Sequence, residues 1–139
     1  PGQLDVYVIS AGLWGDAVFE SEARQAGDIL ADHLGAEGRT ITLSAGGVPE
    51  RTLPAATPAN LSAAIGQVGS LIDPNEDLVV VFLTSHGSPD GSVGVREHNR
   101  LNAAIRPAHL RDLLNASNIR NRVVIVSACF SGAWVAPFA

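Results

Sequence analysis

The chain has 139 residues and a mass of 14.4 kDa, the size of one domain and too short for two ordinary ones. Its 46% hydrophobic content against 17% charged residues supplies a core and excludes disorder for most of the length. Net charge is −5, and all nine bases are Arg with no run of three, which argues against a nucleic-acid stripe or a polybasic membrane patch.

Leu4 to Ser10 (LDVYVIS) is apolar and rich in β-branched residues, and predicts a buried strand broken by Gly12 and Gly15. From Ala17 to Leu34, Val18, Ala23, Ala26, Ile29, Leu30 and Leu34 recur at three and four, the spacing of an amphipathic helix. Asp16 is placed to cap its start and Gly35 to end it. Arg39 to Leu43 predicts a second strand. Ser44 to Ala56 holds Gly46, Gly47, Pro49 and Pro54 and reads as an exposed loop, a plausible place for activating cleavage. Thr57-Pro58 starts a helix that runs to about Leu71 and stops at Asp73-Pro74-Asn75.

Leu78 to Thr84 (LVVVFLT) is a continuous apolar run, as in a parallel strand buried on both faces. Ser88 to Gly91 is a turn, and Gly91 to Ile105 is ambiguous, with room for a short hairpin. Pro107 opens a helix to about Asn115, and Val123 to Ser127 (VVIVS) reads as a second central strand. The apolar residues after Ser131 read as a helix cut short. Strands alternating with helices predict an α/β fold, a parallel sheet with helices on both faces and right-handed crossovers. The chain reads as a single domain over residues 1–139, truncated at its C-terminus. It starts at Pro1-Gly2 without Met and stops just after a helix begins. The longest apolar run, Leu78 to Leu83, is far below the ~20 residues of a membrane span, and no signal-peptide pattern opens the chain. The compartment, cytoplasmic or periplasmic, stays open. One cysteine forms no internal disulfide and no Cys-based metal framework.

In an open α/β sheet the site lies beyond the carboxyl ends of the strands. Two such ends stand out, Leu83-Thr84-Ser85-His86-Gly87 and Val126-Ser127-Ala128-Cys129-Phe130-Ser131-Gly132. If the strands are neighbours, their axes are about 4.8 Å apart and both side chains emerge at one sheet edge. Cys129 then has the base that a thiol nucleophile needs, and a following helix N-terminus would lower its pKa. Gly87 permits close backbone approach, so its N–H could join that of Cys129 as an oxyanion hole. The competing reading is a packed structural thiol, the usual fate of a lone free cysteine.

The segments DLVVVFLTSHGS and RVVIVSACFSG, with 43 residues from His86 to Cys129, resemble the legumain-type cysteine peptidases of the caspase-like clan, which include the GPI-transamidase subunit. The bacterial branch looks closest, through TSHGS, PAHLRDLLNASNIRNRVVIVSACFSG and VFESEARQAGDIL. The resemblance implies a caspase-like α/β/α sandwich, Cys129 as nucleophile, His86 as general acid/base, and Gly87 and Cys129 as oxyanion donors. It also implies a peptide or protein substrate, often cut after Asn or Asp, and neither metal nor other cofactor. Legumain carries an Asn and an Arg in the loop after its first strand. Here that loop reads Ser10-Ala11-Gly12-Leu13-Trp14-Gly15-Asp16, with neither. Ser10 or Asp16 is a candidate to orient His86, Trp14 to line the cleft, and Ser85 and Ser127 flank the pair. His33, His98 and His109 lack metal-ligand spacing and read as structural or surface residues. Glu20, Glu22 and Asp28 read as a solvated face, with Arg24 and Asp28 as an i,i+4 pair. Three functions compete: a peptidase or a transamidase sharing one acyl-enzyme, a small-substrate thiol amidase, and a non-catalytic binding domain. The last predicts a buried, unreactive Cys129.

Overall fold

The computed structural model describes residues 3–46, 53–97 and 101–138. Its main sheet has four parallel strands in the order β2-β1-β3-β6: β1 (Val6–Gly12), β2 (Thr40–Ser44), β3 (Leu78–Thr84) and β6 (Asn121–Ser127). A separate antiparallel hairpin pairs β4 (Val93–Glu97) with β5 (Leu101–Ile105), which resolves the ambiguous stretch. The helices are α1 (Ala17–Leu34), α2 (Pro58–Leu71) and α3 (Pro107–Ala116). The expected α/β architecture is therefore present, with predicted strand and helix ends within about two residues of those observed.

Side chains alternate across a strand, so β1 divides the core in two. Ile9, Ala11, Val79, Val81 and Leu83 join Leu61, Ile65 and Val68 of α2 and Leu110 and Leu114 of α3 on one face. Val6, Val8 and Val80 join Ala31 of α1 and Ala36 on the other. No helix among the described residues is long and apolar enough to cross a membrane.

α1 corrects the helical face predicted for it. Its buried residues are Ala23, Gly27 and Ala31, while Val18 and Ile29 are exposed. Apolar spacing located the helix, but small residues decide its seat. A Cβ on Gly27 would lie 3.1 Å from Thr42 Oγ1, and the Ser10 hydroxyl donates to the Ala23 carbonyl at 2.7 Å. Both contacts need the helix close to the sheet. Asp16 occupies the N-cap position without a side-chain cap hydrogen bond, and Gly35 ends the helix in the left-handed conformation at φ 67°. Arg24 pairs with Glu20 at 3.7 Å, the favourable Glu-before-Arg order, rather than with Asp28. At α2 the Thr57 hydroxyl accepts from the Asn60 N–H at 3.0 Å with Pro58 at the first position, as expected.

Three further expectations change. Among the described residues β6 is an edge strand, not a central one: its residues alternate exposed and half-buried, with Val123 46% and Ile125 39% exposed. α1 packs over β1, β2 and β3 and stops short of it. The residues after Cys129 form two 3₁₀ turns, Ser131–Trp134 and Ala136–Phe138, instead of an α-helix, so no α-helix dipole stands behind the thiol. The flanks of the predicted exposed loop are buried at Ser44, Ala45, Gly46 and Ala56, zipped by Ser44 N–H to Pro54 O at 2.9 Å and Ala56 N–H to Ser44 O at 3.1 Å. Its centre, with the proposed cleavage place, lies outside the described residues.

Candidate active site

β3 and β6 are neighbours in register, Thr84 opposite Ser127, so the segments that follow them leave the same sheet edge together. The Ser85 N–H donates to the Ser127 carbonyl at 3.2 Å, carrying the pairing one residue further. Gly87 then meets Cys129 backbone to backbone. A Cβ on Gly87 would stand 1.9 Å from the Cys129 carbonyl oxygen and 3.1 Å from its amide nitrogen, so only glycine fits there. Cys129 is an exposed free thiol, unlike the packed cysteine that a structural role predicts. Phe130, just after it, holds the left-handed conformation at φ 61°, uncommon for a non-glycine residue. That turn ends the strand direction abruptly at the thiol.

His86 is held by rings. Trp14 and Phe19 both meet the imidazole edge-to-face, with centroids 5.1 and 5.0 Å away. Such contacts add about 0.5–1.5 kcal/mol each beyond area burial between aromatic rings. Neither expected orienting residue shows a contact with it. The Ser10 hydroxyl is buried and donates to the Ala23 carbonyl, on the α1 side of the sheet. Asp16 is exposed at the helix cap. Trp14, the expected cleft residue, meets the His86 ring. Ser85 donates its hydroxyl to the Gly94 carbonyl, a backbone anchor rather than a reacting group. Ser127 is exposed at the strand end.

One more tether holds the halves together. The Trp134 indole N–H donates to the Gly91 carbonyl at 2.7 Å, joining the segment after Cys129 to the turn after His86. That turn is closed by Asp90, whose carboxylate accepts from the Ser92 N–H at 2.9 Å and hydroxyl at 2.7 Å. Hydrogen bonds from the Ser92 hydroxyl and amide hold the Asp90 carboxyl below its ordinary value. The Gly94 N–H donates to the His86 carbonyl at 2.9 Å, so β4 lies along the histidine segment. Sequence reasoning missed Phe19, Gly94 and Trp134. The glycine inside the alternating Val93-Gly94-Val95 was the one local sign of a close backbone approach.

Among the described residues no group of three or more His, Cys, Asp or Glu side chains could hold a metal. His33 and His109 are exposed, and His98 lies outside the described residues. The chain matches the model of the Peptidase C13 family over residues 36–139 and belongs to that family. No curated protein matches the chain.

Proposed function

We propose that the protein is a cysteine endopeptidase working through a Cys129–His86 dyad. The Cys129 thiolate attacks the scissile carbonyl carbon, and the negative charge moves to the carbonyl oxygen. The N–H groups of Gly87 and Cys129 stabilise that oxyanion. His86 gives a proton to the departing amine as the carbon–nitrogen bond breaks and a thioester forms. His86 then takes a proton from the incoming water, and the thioester is hydrolysed to a carboxylic acid and free thiol. An amine in place of water would make the same intermediate a transamidase step.

The observation that carries this reading is the backbone contact of Gly87 with Cys129, which joins the two strand ends at an exposed thiol. The family supports the same chemistry. Membership extends to peptides as the substrate class, and the choice of Cys129 and His86 is ours. Cys129→Ala should lower peptide hydrolysis by about 10³-fold or more, the scale of nucleophile loss in acyl-transfer enzymes. Full activity in that variant would sink the proposal. Adding hydroxylamine to the wild-type reaction reads the second choice: hydroxamate product in excess of acid assigns an amine acceptor.

A further inference from the structure

We propose that Phe19 is a positioning residue for the reaction: its ring, with that of Trp14, orients the His86 imidazole where a hydrogen-bonding side chain would ordinarily do so. This deepens the Cys129–His86 reading and rests on it. His86 is exposed, and the χ2 torsion of a histidine is broad and roughly two-fold. The reaction needs one ring nitrogen turned toward the substrate, first to give a proton and then to take one. A hydrogen bond at the other nitrogen usually sets that orientation. Among the described residues no hydrogen bond reaches the imidazole. Even the Thr84 hydroxyl, buried two residues earlier, has no partner. What meets the imidazole is two rings. Trp14 stands 5.1 Å away with 87° between the planes, and Phe19 stands 5.0 Å away with 75° between them. Two planes nearly upright on the imidazole leave it little room to rock or turn over.

Phe19 is brought there by backbone. β1 and β3 end level, Gly12 opposite Thr84, and the Leu13 N–H donates to the Thr84 carbonyl at 3.0 Å. α1 then turns back over β1, β2 and β3, and its first turn lies on the end of β1. A Cβ on Gly12 would stand 2.6 Å from the Phe19 carbonyl oxygen and 2.9 Å from its carbonyl carbon, so glycine is what admits the turn at this distance. The Phe19 N–H donates to the Asp16 carbonyl at 3.1 Å, and one turn further the Ser10 hydroxyl holds the Ala23 carbonyl. The ring therefore sits on a seated helix, which places a group more closely than a loop does. Trp14 is packed in turn on β4, where a Cβ on Gly94 would come within 2.5 Å of its ring. The start of α1 and the strand β4, far apart in the chain, thus converge on one imidazole.

The test compares Phe19→Leu with Phe19→Tyr in the full-length protein. Leu keeps apolar bulk and loses the ring, and Tyr keeps the ring. In peptide hydrolysis Phe19→Leu should lose about 10–100-fold in kcat with KM unchanged, the scale of a displaced catalytic group, and Phe19→Tyr should recover most of the loss. Iodoacetamide labelling of Cys129 well below the free-thiol pKa of about 8.5 should slow in Phe19→Leu and not in Phe19→Tyr. A third readout is the His86 ring signal in isotope-labelled protein, assigned by its loss in His86→Ala. Ring currents should displace it in the folded wild type, and in folded Phe19→Leu it should move toward the position of free histidine. Wild-type kcat and labelling in Phe19→Leu would overturn the proposal, and so would equal losses in the Leu and Tyr variants. If no peptide is cut, labelling separates the failures. His86→Ala that labels like the wild type ends the dyad reading and this inference with it. Labelling that slows in His86→Ala but not in Phe19→Leu ends this inference alone.

Discussion

β3 and β6 are apolar strands of equal length, Leu-Val-Val-Val-Phe-Leu-Thr against Asn-Arg-Val-Val-Ile-Val-Ser, and lie side by side in parallel register. β3 is buried on both faces. β6 leaves Val123 and Ile125 open on the face where α1 covers β1, β2 and β3. The difference lies in the neighbours, not in the strands: β3 has β1 on its other side, whereas among the described residues no strand pairs with the other side of β6. The same contrast continues into the chemistry. His86, after β3, is clamped by Trp14 and Phe19 and tied to β4. Cys129, after β6, is exposed, as His86 is, but turns at once into the left-handed Phe130. An imidazole held by two rings and an exposed thiol thus follow neighbouring strands.

The largest way to break the comparison is at the point where the two ends meet. Gly87→Ala puts a methyl group against the Cys129 carbonyl, a contact that backbone alone must relieve. It should destabilise by about 1–3 kcal/mol, the range for overpacking. Peptide hydrolysis should fall further than the folded fraction measured by thermal unfolding. Next, Val81→Ala in β3 should cost about 2 kcal/mol through lost burial and a cavity, and Val123→Ala in β6 at most about 0.5 kcal/mol. Urea unfolding of the two variants measures the gap, and equal losses would mean that β6 is as covered as β3.

Trp134→Phe keeps the ring and removes the indole hydrogen bond to the Gly91 carbonyl. A loss of about 1 kcal/mol is expected, and more of the effect should fall on turnover than on unfolding. The smallest effect is acid-dependent. Folding lowers the Asp90 pKa from its ordinary 3.8, so the ionised form is the one the fold favours. Its contribution is complete above that ordinary value and disappears as pH falls through the lowered one. Asp90→Asn should therefore shift the melting temperature slightly at neutral pH and leave it unchanged at the acid end. A shift of the same size at both ends would remove Asp90 ionisation from the account.

Much of this was legible in the sequence for stated reasons. Continuous apolar runs at residues 78–84 and 123–127 located two strands of the sheet, and Thr57-Pro58 and Gly35 marked helix ends through backbone chemistry that any context keeps. His-Gly and Ala-Cys at two strand ends marked the candidate site, and β3 and β6 are parallel neighbours that bring these ends to one sheet edge. What stayed hidden depends on lateral order and on close approach. The exposure of β6 follows from its place at the edge, which its own residues do not encode. α1 was found by its apolar spacing but seated by Ala23, Gly27 and Ala31, since small residues admit the sheet where larger ones stand away. The ring clamp on His86 draws Trp14 and Phe19 from the connection after β1 and the start of α1, distant in sequence from the histidine. A polar orienting partner at Ser10 or Asp16 was the natural guess, and an aromatic seat stands instead.

The central claim is that His86 activates Cys129. The most direct measurement is the rate of Cys129 alkylation by iodoacetamide against pH, followed by intact mass, in the wild type and in His86→Ala. The account predicts a fast rate in the wild type that persists well below the free-thiol pKa of about 8.5 and is lost in the variant. A rate that rises only near that pKa and is the same in both proteins would contradict it.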